Sequence, residues 1–128
     1  MVSEVKVPIL GFESLQSVVV KEVDTIFSTL HATNDSKISF TVVNPYRLME
    51  DYDFEIPDSV KLSLAIDEQT NIAVYCMVIS LEPKEASTVN LLAPLVVNLD
   101  KKLLAQVSLN PNKYSHYGLQ EPISSFMQ

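Results

Sequence analysis

Period-two alternation runs through most of this chain and limits it to folds built from short strands. Across residues 103–109, Leu103, Ala105, Val107 and Leu109 point one way while Leu104, Gln106 and Ser108 point the other, because successive side chains of a strand leave on opposite faces. Ile38, Phe40 and Val42 alternate with Ser39 and Thr41 in the same manner. Between Ile72 and Leu81 both faces are apolar, Ile72, Val74, Cys76 and Val78 on one and Ala73, Tyr75, Met77, Ile79 and Leu81 on the other. That pattern predicts a central strand buried on both sides. Val5 and Val7 set against Glu4 and Lys6, residues 18–23 and residues 95–99 predict three further strands, each bounded by Gly, Pro, Asn or Asp. Residues 34–37, 98–101 and 110–112 carry the Asn, Asp and Pro that favour turns between them.

Two stretches leave a choice. Ile26, Phe27 and Leu30 give residues 24–32 the spacing of a short amphipathic helix. Val60, Leu62, Leu64 and Ile66 alternate like a strand, yet Asp58 after Pro57 equally caps one or two helical turns, and the balance leans to helix. Few helices, many short strands and no βαβ rhythm predict a mainly β fold. The expectation is a small antiparallel β-barrel-like single domain, residues 1–128, with one or two short helices.

Composition narrows the function. With 47% hydrophobic and 20% charged residues, the 128-residue chain has the apolar content to bury one core. Nine Lys and Arg against sixteen Asp and Glu leave a net charge of −7, the opposite of what a phosphate backbone attracts, so nucleic acid is not an expected direct ligand. Cys76 is the single cysteine, which precludes an internal disulfide and fits a reducing compartment. The start of the chain lacks a basic segment followed by an apolar run, and the cytoplasm is the default location. The longest uncharged stretches, 69–81 and 86–99, fall short of the roughly 20 apolar residues that span a bilayer.

The usual constellations of catalysis are missing from the pattern. Gly11 and Gly118 are the only glycines, too few for a loop that aims consecutive N–H groups at a phosphate. His31 and His116 have no second His or Cys at zinc-ligand spacing. Ser115 adjoins His116, but a nucleophile and its base meet in space and need an oxyanion hole. Cys76 lies in the most hydrophobic strand, where a desolvated thiol acts as a small core side chain.

One dense acidic cluster remains, Glu50, Asp51, Asp53 and Glu55, interleaved with Tyr52 and Phe54 and followed by Asp58. Calcium would need a Gly-containing loop that the segment lacks. A glycosidase pair would need aromatic rings to hold a sugar, and the chain has no Trp. The cluster reads better as a solvated or partner-facing rim. Tyr46, Tyr52 and Phe54 would either anchor an interface or close the barrel.

Several blocks in order along the chain resemble the flagellar assembly factor family FliW. They are 8–13 with Gly11-Phe12, 39–45 ending in Asn44-Pro45, the aromatic and acidic run 52–56, and 87–98 with Asn90, Pro94 and Asn98, continuing through Gln106 to Tyr114. Leu104-Ala105 departs from the resemblance, because many members carry Gly just before the Gln. The resemblance implies a compact β-barrel-like fold, no catalysis, no cofactor and two protein partners. One is the RNA-binding translational regulator CsrA and the other is flagellin. In that scheme the free factor binds CsrA and relieves repression of flagellin messenger RNA, and cytoplasmic flagellin captures the factor and frees CsrA again. A monomer is expected. The alternative is a flagellin-specific cytoplasmic chaperone without a regulatory role. Asp51, Tyr52, Asp53, Glu55 and Asp58 are the expected partner-binding residues, since an RNA-binding regulator is basic and a negative surface complements it. Gly11, Phe12, Asn44, Pro45, Asn90, Pro94 and Asn98 are expected to be structural, because Asn and Pro at strand ends fix turns.

Overall fold

Each alternating segment needs a partner for its backbone and a cover for its apolar face, and seven of the strands meet both needs by closing on one another. The computed structural model describes residues 2–35, 37–79 and 86–126. Its elements are β1 (Val2–Val7), β2 (Ser17–Glu22), β3 (Phe27–Ala32), β4 (Ser39–Val43), α1 (Pro45–Leu48), α2 (Asp58–Ser63), β5 (Ile72–Ile79), β6 (Thr88–Val89), β7 (Leu95–Asn98), β8 (Leu103–Gln106) and β9 (Glu121–Pro122), followed by a 3-10 turn at Ile123–Ser125. The order β4-β3-β2-β1-β8-β7-β5 returns to β4 through a β4–β5 pairing, which closes a seven-stranded barrel, and β6 and β9 extend the sheet beyond it.

The ring is not antiparallel throughout. β1 and β8 run parallel, with a bulge between Val5 and Val7. Strand direction cannot alternate all the way round a closed ring of odd number, so one neighbouring pair has to be parallel.

Two apolar clusters fill the molecule. The first draws on all seven strands of the ring, with Val5, Val18, Leu30, Val42, Tyr75, Leu95 and Leu104 among its members, and it is therefore the barrel interior. The second lies outside one wall. There Val43, Cys76, Val96 and Ala105 face outward and are covered by Leu48 of α1, Tyr52, Val60 of α2, Tyr117 and Ile123. β7 sits between the two clusters and is buried along its whole length.

The strand expectations hold in outline and fail in instructive places. Residues 24–32 are not a helix. Asp24 accepts hydrogen bonds from Ile26 and Phe27 N–H at 2.8 Å each and turns the chain, after which β3 begins. Its buried residues are Ser28, Leu30 and Ala32, and two small side chains of three hide the alternation from a hydropathy reading. Residues 58–63 do form a helix, but Pro57 occupies the cap and Asp58 stands in the first turn. β5 carries apolar residues on both faces as expected, yet it is not a fully buried strand: Ile72 is 38% and Ile79 50% exposed. Leu81 and Ser36 of the expected turn lie outside the described residues.

Asn98 ties the helical cover to the barrel. Its amide is 1% exposed; Nδ2 donates to Leu64 C=O at 2.7 Å, and Oδ1 accepts from Asp100 and Lys101 N–H at 3.0 Å each. Asn44 caps α1 through Oδ1, which accepts from Tyr46 N–H, with Pro45 in the first turn. Replacing Asn98 by Ala should therefore cost about 2–4 kcal/mol, since buried groups lose their partners. Asn44→Ala should cost about 1 kcal/mol, the usual loss of a helix cap. Urea unfolding of both variants checks that order.

Candidate protein-binding surface

The acidic segment is an extended strap that belongs to no strand. Asp51, Asp53, Glu55 and Asp58 are exposed, whereas Tyr52 is buried and Phe54 and Ile56 are half-buried. The segment thus alternates like a strand without a strand beside it. Two tyrosine hydroxyls take the partner's place. Tyr117 Oη accepts from Asp53 N–H and donates to Asp53 C=O, both at 2.8 Å, and Tyr114 Oη accepts from Glu55 N–H at 3.0 Å. A hydroxyl can do this because it both donates and accepts. The rings of Tyr114 and Tyr117 stack with centroids 5.7 Å apart, and Lys113 reaches Glu55 at 3.2 Å across the same contact. That ion pair is exposed and adds little; the main-chain bonds position the strap.

Tyr52 is not part of the rim. It is 3% exposed, its ring centroid lies 4.8 Å from that of Tyr117, and its hydroxyl donates to Leu91 C=O at 2.8 Å. Of the two readings left open for these aromatics, Tyr52 and Phe54 follow the second and pack into the outer core, and Tyr46 alone among the three is substantially exposed. The strap's dependence on Tyr114 and Tyr117 had a signal in the sequence, since two tyrosines three residues apart in a turn-rich segment can present both rings to one side.

Burial raises the Tyr52 hydroxyl well above the usual tyrosine range, with the neighbouring Cys76 as the next cause. Cys76 itself is pushed up to about 12 by burial, against a weak opposing contact with Tyr52. Desolvation, then Asp53, raises Tyr46. The carboxylates of the strap point outward, and no group of three or more His, Cys, Asp or Glu among the described residues could hold a metal ion. His116 packs its ring on Tyr117 at 4.1 Å, and His31 bonds Thr29 Oγ1 at 2.9 Å.

Beside the strap runs an open groove of about 370 Å³, lined by Asn44, Tyr46, Phe54, Ile56 and residues 72–75 of β5. Phe54 and Ile56 also line an adjoining concavity with Glu55, Asp58 and Lys61.

The model of the FliW protein family matches residues 2–123. The chain belongs to the FliW family. Flagellar assembly factor FliW of Campylobacter lari is 44% identical over 125 residues, covering 98% of this chain and 95% of that protein. Flagellar assembly factor FliW 2 of Wolinella succinogenes is 46% identical over 124 residues, covering 96% of this chain and 90% of that protein. A crystal structure of the flagellar assembly factor FliW superimposes with a TM-score of 0.86 at 24% identity, covering 95% of this chain and 84% of that one. No helix among the described residues is long and apolar enough to cross a membrane.

The blocks that carry the FliW resemblance hold turns and caps. Gly11 adopts φ 87°, a conformation that costs glycine little, and donates to Glu13 Oε1 at 3.0 Å. Phe12 packs edge-on against Phe40 at 4.7 Å. Asn90 Oδ1 accepts from Leu92 N–H at 3.0 Å, and Pro94 C=O accepts from Val107 N–H at 2.9 Å.

Two outcomes are expected of this core. Tyr52→Phe should destabilise the fold by about 1–3 kcal/mol, the cost of leaving the buried Leu91 carbonyl without its donor, as measured by urea unfolding. Because the folded Cys76 pKa lies above its ordinary 9.0, stability is full below pH 9 and falls as pH climbs toward 12. Thermal unfolding should show that alkaline decline, and Cys76→Ala should flatten part of it.

Proposed function

We propose that this chain is a cytoplasmic flagellar assembly factor that antagonises the translational regulator CsrA, relieving repression of flagellin messenger RNA, and that exchanges CsrA for flagellin as its partner. The observation that carries the reading is the acidic rim: Asp51, Asp53, Glu55 and Asp58 are exposed, and the backbone at Asp53 and Glu55 is held by two tyrosine hydroxyls. Such a surface approaches a basic partner without first having to be ordered, which lowers the cost of binding. The net charge of −7 adds a long-range attraction that speeds encounter and weakens as salt is added. Bound beside an RNA groove, the same carboxylates repel phosphate, so binding disfavours RNA without occupying the groove itself. The chemistry is binding rather than catalysis.

The test reverses the charges at Asp51, Asp53 and Glu55 to Lys in one variant. These side chains are exposed, so the fold should survive. Affinity for CsrA should drop about tenfold or more, the sum of several rim charges, and the dependence on salt should flatten. An unchanged dissociation constant and salt slope would remove the strap from the interface. Titrating flagellin into the complex with CsrA checks the exchange: displacement supports it, and a stable ternary complex contradicts it.

A further inference from the structure

β5 has an edge that its neighbours leave open. The direction of its backbone groups follows from four hydrogen bonds. Met77 C=O accepts from Asn90 N–H and Asn71 C=O from Leu99 N–H, so the odd-numbered residues of β5 face β6 and β7. On β7, the carbonyls of Pro94 and Asn98 serve Val107 and Lys102 on the β8 side, which leaves Leu95 and Val97 to pair with Tyr75 and Ala73. N–H and C=O groups alternate sides along a strand. Ile72 and Val74 therefore aim theirs away from β7.

β4 covers that side only from Cys76 onward, where the register pairs it with Val43. Continued by two residues, the same register would set Pro45 against Val74, and Pro45 has no N–H to offer. At that point Asn44 instead caps α1 and the chain leaves the sheet. The donors and acceptors of Ile72 and Val74 consequently face the groove whose other walls are Tyr46, Phe54 and Ile56. Its volume falls within the ~300–1,000 Å³ typical of ligand sites. An unpaired edge beside apolar pockets is the arrangement that accepts an added strand.

Charge selects the occupant. Asp53 lies close enough to Tyr46 to act on its hydroxyl. Glu55 and Asp58 line the adjoining concavity, where Lys61 is the one cation among the lining residues. A second copy of this chain would bring the same acids and a further −7 to the contact.

We infer that the open edge of β5 at Ile72 and Val74 takes a β-strand from a cationic partner, whose alternate apolar side chains rest on Tyr46, Phe54 and Ile56. This deepens the proposed function, resting on its reading of the chain as a binding factor for basic proteins and adding a main-chain mode of recognition. Each of the two residues supplies one donor and one acceptor. Apolar side chains and flanking Lys or Arg supply the selectivity.

The probe is an end-blocked synthetic peptide, Lys-Val-Thr-Val-Thr-Val-Lys, titrated into the full-length 15N-labelled chain. Its binding should shift the amides of Ile72 and Val74 most. Ile72→Pro removes an edge donor at the first residue of the strand without touching the β7 ladder, and should weaken binding about tenfold. Tyr46→Ala, which leaves the backbone intact, should weaken it similarly. A Glu-flanked peptide, and one N-methylated at its central Val, should bind at least about tenfold more weakly. Equal binding of the N-methylated peptide would overturn the strand mode, and equal binding of the Glu-flanked peptide would overturn the cationic occupant. Self-association of the chain abolished by Ile72→Pro would assign the edge to a second copy and overturn the proposal. So would a failure of the Lys-flanked peptide to shift these amides. Failure here alongside intact, strap-dependent CsrA binding defeats the strand site alone, whereas peptide binding without CsrA binding defeats the proposed function and leaves the strand site standing.

Discussion

A closed ring of seven strands cannot alternate in direction all the way round, and the parallel contact of β1 with β8 is how this barrel meets that constraint. The rest of the molecule follows from the closure. Once β5 returns to β4, the interior is sealed by side chains from every strand of the ring, and the sheet has one outer wall rich enough in Val, Ala and Cys to need a second cover. The helices, the strap and the residues after β8 form that cover. Asn98 links the two layers, because its buried amide bonds both the turn after β7 and the end of α2.

The closure is also incomplete in a useful way. Asn44 and Pro45 end β4 before it can pair with the first half of β5. The same two residues begin the helix and leave the groove. Structural and functional roles are therefore not alternatives here: a cap that stabilises α1 by about 1 kcal/mol also determines where the sheet stays open. The strap shows a related economy, since Tyr114 and Tyr117 bond its backbone at Glu55 and Asp53 while Tyr52 fills the core beneath, and the carboxylates stay exposed to solvent.

Much of the fold was legible residue by residue. The two apolar faces of β5 separate as alternation requires, Tyr75 and Met77 to the interior and Val74, Cys76 and Val78 to the outer cluster. Leu103, Ala105, Val107 and Leu109 likewise share the outer cluster. β3 was illegible because its inward residues are Ser28, Leu30 and Ala32, and a barrel interior accepts small side chains that a hydropathy pattern does not register. Tyr52 was misplaced for a different reason. It sits between acids in sequence, and its neighbours in space, Leu91 and Tyr117, are distant along the chain.

By itself the sequence determined most of the strand content, the two faces of β5 and of residues 103–109, the acidic surface and the membership of the FliW family, because alternation, charge and motif are properties of neighbouring residues and their order. Only the tertiary structure decided which strands neighbour each other, that one pair runs parallel, that Tyr52 is interior, and that no described strand pairs with the β4-side edge of β5 at Ile72 and Val74. Those outcomes depend on contacts between residues far apart in the chain, where the direction of a hydrogen bond is set by which strand arrives beside it and where that strand departs.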